Sequence, residues 1–190
     1  MAGQERDLNS LERQLQELYQ ERDEYLRQRF DRSLPFADGL FDRWTRARRL
    51  GFADGTSIYN SAAVYGPVEV GENTWIGPYV ILDGSGGGVD IGKYCSISAG
   101  VHVYTHDTML WALSAGAAEK RTGSVSIGDF VYIGSQSIIA CGTTIGSRCV
   151  IGCNSYVNGD VPSGSVVAGS PARRIGSVVG EGREVRVVYD

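Results

Sequence analysis

His102 and His106 are the only imidazoles in this 190-residue chain. Histidine is the side chain best matched to taking and returning a proton near neutral pH. Asp107 stands beside the second of them, where a carboxylate can orient an imidazole, although loop aspartates commonly cap turns instead. The four cysteines make no CxxC pair and no close cluster with histidine. A zinc site is therefore not indicated, and Cys95 and Cys149 read as reduced packing residues. These residue types point to general acid–base chemistry without a metal.

The two histidines differ in what surrounds them. From Ile58 onward aliphatic residues recur every six positions: Ile58, Val64, Val70, Ile76 and Leu82. After a three-residue slip the series resumes at Ile91, Ile97 and Val103, and after a long gap it runs Ile127, Ile133, Ile139, Ile145, Ile151 and Val157. Four residues after each of these, a small or β-branched residue returns, as in Ala62, Thr74, Cys95, Ser137, Cys149 and Ser155. Glycine often follows the aliphatic residue directly, as in Gly71, Gly92, Gly128, Gly134 and Gly152. Neither a helix at 3.6 residues nor a single strand at 2.0 explains a strict six. A coil of three short strands does: each unit makes one flat face and one corner, and successive coils stack at roughly 4.8 Å. The 26 glycines are read as turn residues of those corners.

His102 falls at an outward strand position within this repeat. His106 falls inside segment 104–126, which abandons the period and also carries Trp111. Long insertions on a rigid scaffold are where function concentrates. A shorter glycine-rich interruption, 83–90, reads as a flexible bulge.

The formal net charge of -4 argues against a general nucleic-acid partner. No run is long enough to span a membrane and the N-terminus has no apolar signal core, so a cytoplasmic location without membrane insertion is expected. Leu8, Leu11, Leu15, Leu18 and Tyr25 form one stripe of an amphipathic helix. A second helical stretch runs through Leu40, Phe41, Trp44 and Leu50 and ends at Gly51 and Gly55, with Arg46, Arg48 and Arg49 as a solvated face. The expected division is a helical extension over 1–55, a β-helix over 56–175 with the inserted loop 104–126, and a tail over 176–190.

Four stretches carry a resemblance: SAGVHVYTH at 98–106, VSIGDFVYIGSQSII at 125–139, TTIGSRCVIGCNSYVNGDVP at 143–162 and VVAGSPARRI at 166–175. Over about residues 58–175 the chain resembles the hexapeptide-repeat acetyltransferases, nearest in motif to the maltose, galactoside and nodulation-factor O-acetyltransferases and the xenobiotic acetyltransferases. The resemblance implies a left-handed parallel β-helix, an exception to the usual crossover rule, and acetyl transfer from acetyl-CoA to a hydroxyl. It implies that His106 is the general base and that the Ser135 N–H stabilises the oxyanion. Tyr132, Gly134, Cys153 and Asn158 would lie along the coenzyme, and Arg173 would meet one of its phosphates. Arg174 would assist, because Gly176 stands where some relatives carry a further arginine. Asp83, Tyr104, Asp107 and Trp111 would line the acceptor pocket. Trp111 would either stack on a sugar or clamp the loop to another subunit. A homotrimer with sites between subunits and no metal requirement is implied. Tyr104 and Thr105 run straight into His106, where many sugar acetyltransferases carry two more residues; the shorter form also occurs in polysaccharide-modifying relatives. The expected acceptor is a sugar hydroxyl in polysaccharide, lipopolysaccharide or capsule modification. The alternatives are an amino-sugar nucleotide N-acetyltransferase, an antibiotic acetyltransferase and a trimeric scaffold without activity. The γ-type carbonic anhydrases share the repeat but need three zinc-binding histidines.

Overall fold

The computed structural model describes residues 8–190; residues 1–7 and the side chain of Leu8, the first member of the expected apolar stripe, lie outside the described residues. The chain divides into two compact units, Met1–Asp42 and Arg43–Asp190.

In the first unit, α1 spans Leu8–Phe30 and the short helix α2 spans Phe36–Leu40. Tyr19 holds them together: its hydroxyl donates to the Leu34 carbonyl at 2.9 Å and its ring lies 5.6 Å from that of Phe36. Leu11, Leu15, Leu18 and Tyr25 remain exposed along α1.

The second unit opens with α3, Arg43–Arg49. The second helical stretch is thus two short helices, broken at Phe41, where the backbone is extended. Arg46 is not a solvated charge. Its guanidinium donates to the carbonyls of Tyr59 and Ala62, clamping α3 onto the first corner of the repeat. Arg43 adds a cation–π contact, 5.2 Å from the Tyr59 ring centroid.

From Ser57 the chain winds through three parallel sheets. The first face stacks Ser57–Ile58, Trp75–Ile76, Ser96–Ile97, Tyr132–Ile133, Val150–Ile151 and Ser165–Gly169. The second stacks Ala63–Tyr65, Ile81–Asp83, His102–Tyr104, Ile138–Ile139 and Tyr156–Val157. The third stacks Val68–Val70, Val89–Ile91, Val125–Ile127 and Thr144–Ile145. Every strand pair within these stacks is parallel, and the inward residues match aliphatic with aliphatic, for example Ile76 with Ile97 and Ile133 with Ile151. The six-residue series is therefore the inward column of a three-sided prism, and Ile58, Leu82, Val103, Ile133, Ile139 and Ile151 are 0 % exposed. Each such side chain contributes about 1.5–3 kcal/mol on burial. Residues 176–190 join the first face as well: Ala172–Val179 turns back on Ser165–Gly169 and pairs in turn with Arg186–Tyr189.

Small polar residues at the corners tie coil to coil. Thr74 Oγ1 donates to the Gly92 carbonyl and Ser137 Oγ to the Gly152 carbonyl, each at 2.8 Å. Cys95 and Cys149 are buried in equivalent positions, their thiols facing the Gly128 and Pro162 carbonyls, and burial pushes both thiols up.

Glycine makes the expected turns in part: Gly55, Gly100 and Gly164 take left-handed corner positions. Asn73, Tyr94, Phe130 and Arg148 on one edge and Tyr79, Gln136 and Asn154 on another take the same left-handed conformation. The glycine after the aliphatic residue is needed because the next coil lies against it: a Cβ on Gly92 would sit 2.7 Å from the Asp129 nitrogen. Such a contact cannot be relieved by a side-chain rotation. Gly92→Ala is expected to lower unfolding free energy by about 1–3 kcal/mol in denaturant titration. Gly159→Ala, where nothing lies within 4 Å of the added carbon, should change it by less than about 0.5 kcal/mol.

Candidate active site

His106 begins where the second face turns toward the third. It follows His102–Tyr104 and opens the two-residue strand His106–Asp107, which pairs antiparallel with Arg121–Thr122 as the insertion returns. Between them the insertion carries α4, Met109–Leu113.

Directly beneath, in the preceding coil, lies the glycine-rich bulge. The Asp83 carboxylate reaches His106 Nδ1 at 3.6 Å, and Ser85 Oγ lies 3.4 Å from the same nitrogen. The Ser85 hydroxyl donates to Asp83 Oδ1 at 2.6 Å, and the Ser85 N–H donates to that oxygen at 3.0 Å. Burial pushes the Asp83 carboxyl up, but the two Ser85 hydrogen bonds, with the charges of His106 and Lys120, outweigh it and hold the group below its ordinary value. Two acceptors facing Nδ1 select the tautomer protonated there and leave the Nε2 lone pair free.

Asp83 thus orients the histidine, and Asp107 does not. One Asp107 oxygen accepts from the Met109 N–H at 3.3 Å, while the other meets Arg121 Nε at 3.4 Å. The same guanidinium reaches Cys141 Sγ at 3.1 Å and the Cys141 carbonyl at 3.2 Å. Of the two readings of Asp107, turn capping is the one its contact with the Met109 N–H fits, because the side chains of consecutive residues on an extended strand point apart.

Tyr104 stands directly above Asp83, and Tyr65 directly below it, in the second face. Burial, then the charges of Asp83 and Tyr65, push the Tyr104 phenol up, keeping it neutral. Its hydroxyl lies 3.3 Å from His102 Nδ1, so His102 partners Tyr104 on the outer surface rather than Asp83. Trp111 lies on α4 with Met109, Leu110 and Leu113, all exposed, an apolar cluster without cover in the single chain.

The remaining expected residues fall on other parts of the prism. Ser135 and Cys153 occupy the corner between the first and second faces, one coil apart, with Gly134 packed under the Cys153 backbone. Among the described residues, the N–H groups of Ala99, Ser135 and Cys153 along this corner donate to nothing. At the equivalent positions between the third and first faces, the Lys93 and Asp129 N–H groups are capped by Asp129 Oδ1 and Ser147 Oγ, each at 3.0 Å, while among the described residues those of Glu72 and Ser147 have no acceptor. The Ser135 corner therefore presents free donors. Tyr132 points outward from the first face into a hollow of about 550 Å³ that it shares with Phe130, Arg148 and Val187. Asn158 lies on the same corner as His106, higher in the stack, and lines a cavity of about 260 Å³ with Arg173 and Arg174. Arg173 is bonded only to the Ala172 carbonyl beside it, whereas Arg174 is engaged by Ser177 and Asp190. The structure thus divides the expected residues between two corners, with the second face between Ser135 and His106.

Two repeat families match: a bacterial transferase hexapeptide of six repeats over residues 124–159, and the hexapeptide repeat of succinyl-transferase over residues 67–105. A chloramphenicol acetyltransferase of Morganella morganii is 35% identical over 106 residues, 45% of this chain and 49% of its own length. The galactoside O-acetyltransferase of Escherichia coli (strain K12) is 32% identical over 126 residues, 56% of this chain and 62% of its own. The chain spans about half the length of the curated relatives that match first. A hexapeptide-repeat acetyltransferase of Vibrio cholerae O1 biovar eltor, VCA0836, solved with acetyl-CoA, superposes with a TM-score of 0.64 at 28% identity, over 93% of this chain and 92% of that one.

Asp83 is lowered on folding, so its contribution to stability is fully present above its unfolded value of about 3.9 and is lost as pH falls through the lower folded value. Denaturant titrations from pH 6 to pH 2 should show stability falling below about pH 4, and Asp83→Asn should flatten that part of the profile.

Proposed function

Because the chain belongs to the hexapeptide-repeat acetyltransferase family, we propose that it transfers acetyl from acetyl-CoA to a sugar hydroxyl, with His106 as general base. The observation that carries this reading is the histidine itself, held at Nδ1 by Asp83 and Ser85 on the longer of the two segments that leave the repeat. Its Nε2 takes the proton of the hydroxyl as that oxygen attacks the thioester carbonyl. The Asp83 carboxylate stabilises the imidazolium that forms, and the same nitrogen returns its proton to the departing thiolate. The Ser135 N–H, a donor without a partner among the described residues, is suited to the oxyanion.

Ser135 and His106 occupy different corners, so one chain does not bring them together. In a homotrimer of parallel prisms, with the left-handed coil of the family, the Ser135 corner of one subunit faces the His106 corner of the next. Cys153 and Gly134 then line one wall of the coenzyme cleft, and Asn158 and Arg173 the other, with Arg173 on a phosphate. Arg174 plays the smaller part, being held by Ser177 and Asp190. Tyr132 borders the cleft from the first face. The exposed Met109, Leu110, Trp111 and Leu113 give the insertion an apolar surface to bury on the neighbouring subunit. Tyr104 and Asp107 beside the base, with Tyr65 below, form the acceptor side. His106 lies on an open outer corner, its side chain 28 % exposed, which suits a sugar within a larger glycan, as in polysaccharide or lipopolysaccharide modification. The likeness to galactoside O-acetyltransferase supports the sugar hydroxyl. Among the described residues no helix is long and apolar enough to cross a membrane, and the reaction is assigned to the cytoplasm, where acetyl-CoA is supplied.

Thiol release from acetyl-CoA across free sugars, oligosaccharides and nucleotide amino sugars tests the reading. His106→Ala should lower turnover with the best acceptor by about 10²–10⁴-fold. Unchanged turnover in that variant removes the mechanism, and turnover confined to amino sugars replaces O- with N-acylation. Light scattering at micromolar concentration should give a trimer; an active monomer would dispose of the shared site.

A further inference from the structure

Between Tyr65 and Val68 the corner from the second to the third face takes two residues, whereas between Asp83 and Val89 it takes five. The prism does not need the extra length, since the register is restored at Val68↔Val89 and held through Val89↔Val125. The bulge is also ordered. Gly84 donates to the Tyr65 carbonyl at 2.7 Å and Gly88 to the Gly84 carbonyl at 2.8 Å. Gly86 donates to Thr105 Oγ1 at 2.8 Å, and that hydroxyl in turn donates to the Asp83 carbonyl at 2.6 Å. Thr105 is 0 % exposed. A Cβ on Gly86 would sit 2.2 Å from the Thr105 carbonyl oxygen and 2.8 Å from the His106 Cβ. The bulge is therefore built against the two residues that precede and carry the imidazole.

One polar side chain of this bulge faces the histidine. Ser85 Oγ donates its proton to Asp83 Oδ1, and its lone pairs lie on the Nδ1 side of the ring, 3.4 Å away. We propose that Ser85 is a positioning residue for His106: it ties the orienting carboxylate and the imidazole into one unit and gives Nδ1–H a second acceptor. The proposal rests on the reading of His106 as the base. Ser85 touches neither substrate in that reading and acts through Asp83 and the ring. Both contacts to Nδ1, at 3.6 and 3.4 Å, are long for hydrogen bonds in the neutral state. They are placed to shorten when the ring becomes positively charged, which is when support is needed. The turn itself does not depend on the hydroxyl, because the Ser85 N–H makes its own bond to Asp83 Oδ1. Removing Oγ thus separates the chemical role from the fold.

The test is steady-state thiol release by the full-length protein with acetyl-CoA and the best acceptor from the scan. Wild type, Ser85→Ala, Ser85→Thr, His106→Ala and the double variant Ser85→Ala/His106→Ala are compared. Ser85→Ala should lose about tenfold in kcat with both KM values unchanged and thermal unfolding unaltered. Ser85→Thr, which keeps the hydroxyl, should recover most of that loss. In the His106→Ala background the serine substitution should have no further effect. A Ser85→Ala enzyme with wild-type kcat, beside an inactive His106→Ala, would overturn the positioning role and leave the base in place. A loss confined to KM, or one that persists in the His106→Ala background, would also overturn it. Full activity in His106→Ala would fail the base reading itself, and the serine proposal with it.

Discussion

Everything in this protein is subordinate to the pitch at which one coil rests on the next. Backbone hydrogen bonds run from coil to coil at every face, which fixes the separation at roughly 4.8 Å. At that pitch each inward column must be filled by side chains that stack on their own kind, hence isoleucine on isoleucine. A corner whose backbone touches its neighbour has room for no Cβ at all, hence the glycines at 71, 92, 128 and 134. It also dictates where the chain can depart from the pattern. Extra residues are admitted only at corners, and only if the strand that follows re-enters in register, as Val89 and Val125 both do.

Those two departures share one corner and lie in successive coils. The bulge after Asp83 and the insertion after Tyr104 are stacked, so a carboxylate and a hydroxyl from the lower coil meet an imidazole from the upper one. A rigid stack is well suited to this. Three groups from two coils are brought within a few ångströms by strands whose relative position is fixed by hydrogen bonds on three sides. The insertion's return strand is pinned as well, with Arg121 holding both Asp107 and Cys141. His106 therefore sits on a short sheet rather than on a free loop, an arrangement that favours preorganisation.

Much of this could be read in the residues. The period of six, its slip before Ile91 and its rupture over 104–126 were legible because inward positions tolerate so few side chains. His106 stood out because it lay in the rupture. What could not be read followed from distances between coils. Asp83 and Ser85 reach His106 across about twenty positions of sequence, at a separation set by the exact length of the bulge; Asp107, the neighbour in sequence, is turned away to Arg121. The glycines suggested left-handed turns, and Gly55, Gly100 and Gly164 make them, but Asn73, Tyr94, Phe130 and Arg148 take the same conformation, because an outward corner leaves space for a side chain and an inward contact does not. Arg46 read as one of several surface cations, and only the position of two carbonyls at the first corner singles it out.

The corners of the prism begin as near equivalents, since the same six-residue unit builds each of them. What distinguishes one level of an edge from another is whether a side chain from the coil above closes the exposed N–H, as Asp129 and Ser147 do for Lys93 and Asp129, or leaves it open, as at Ala99, Ser135 and Cys153 among the described residues. Binding capacity in such a scaffold is thus written by omission. An edge becomes receptive when its lid residue is lost and inert when one is gained, one coil at a time, without disturbing the stack beneath. A fold of this kind can relocate or lengthen a ligand track by single substitutions, which makes its outer edges, rather than its core, the surface on which new specificities are most cheaply explored.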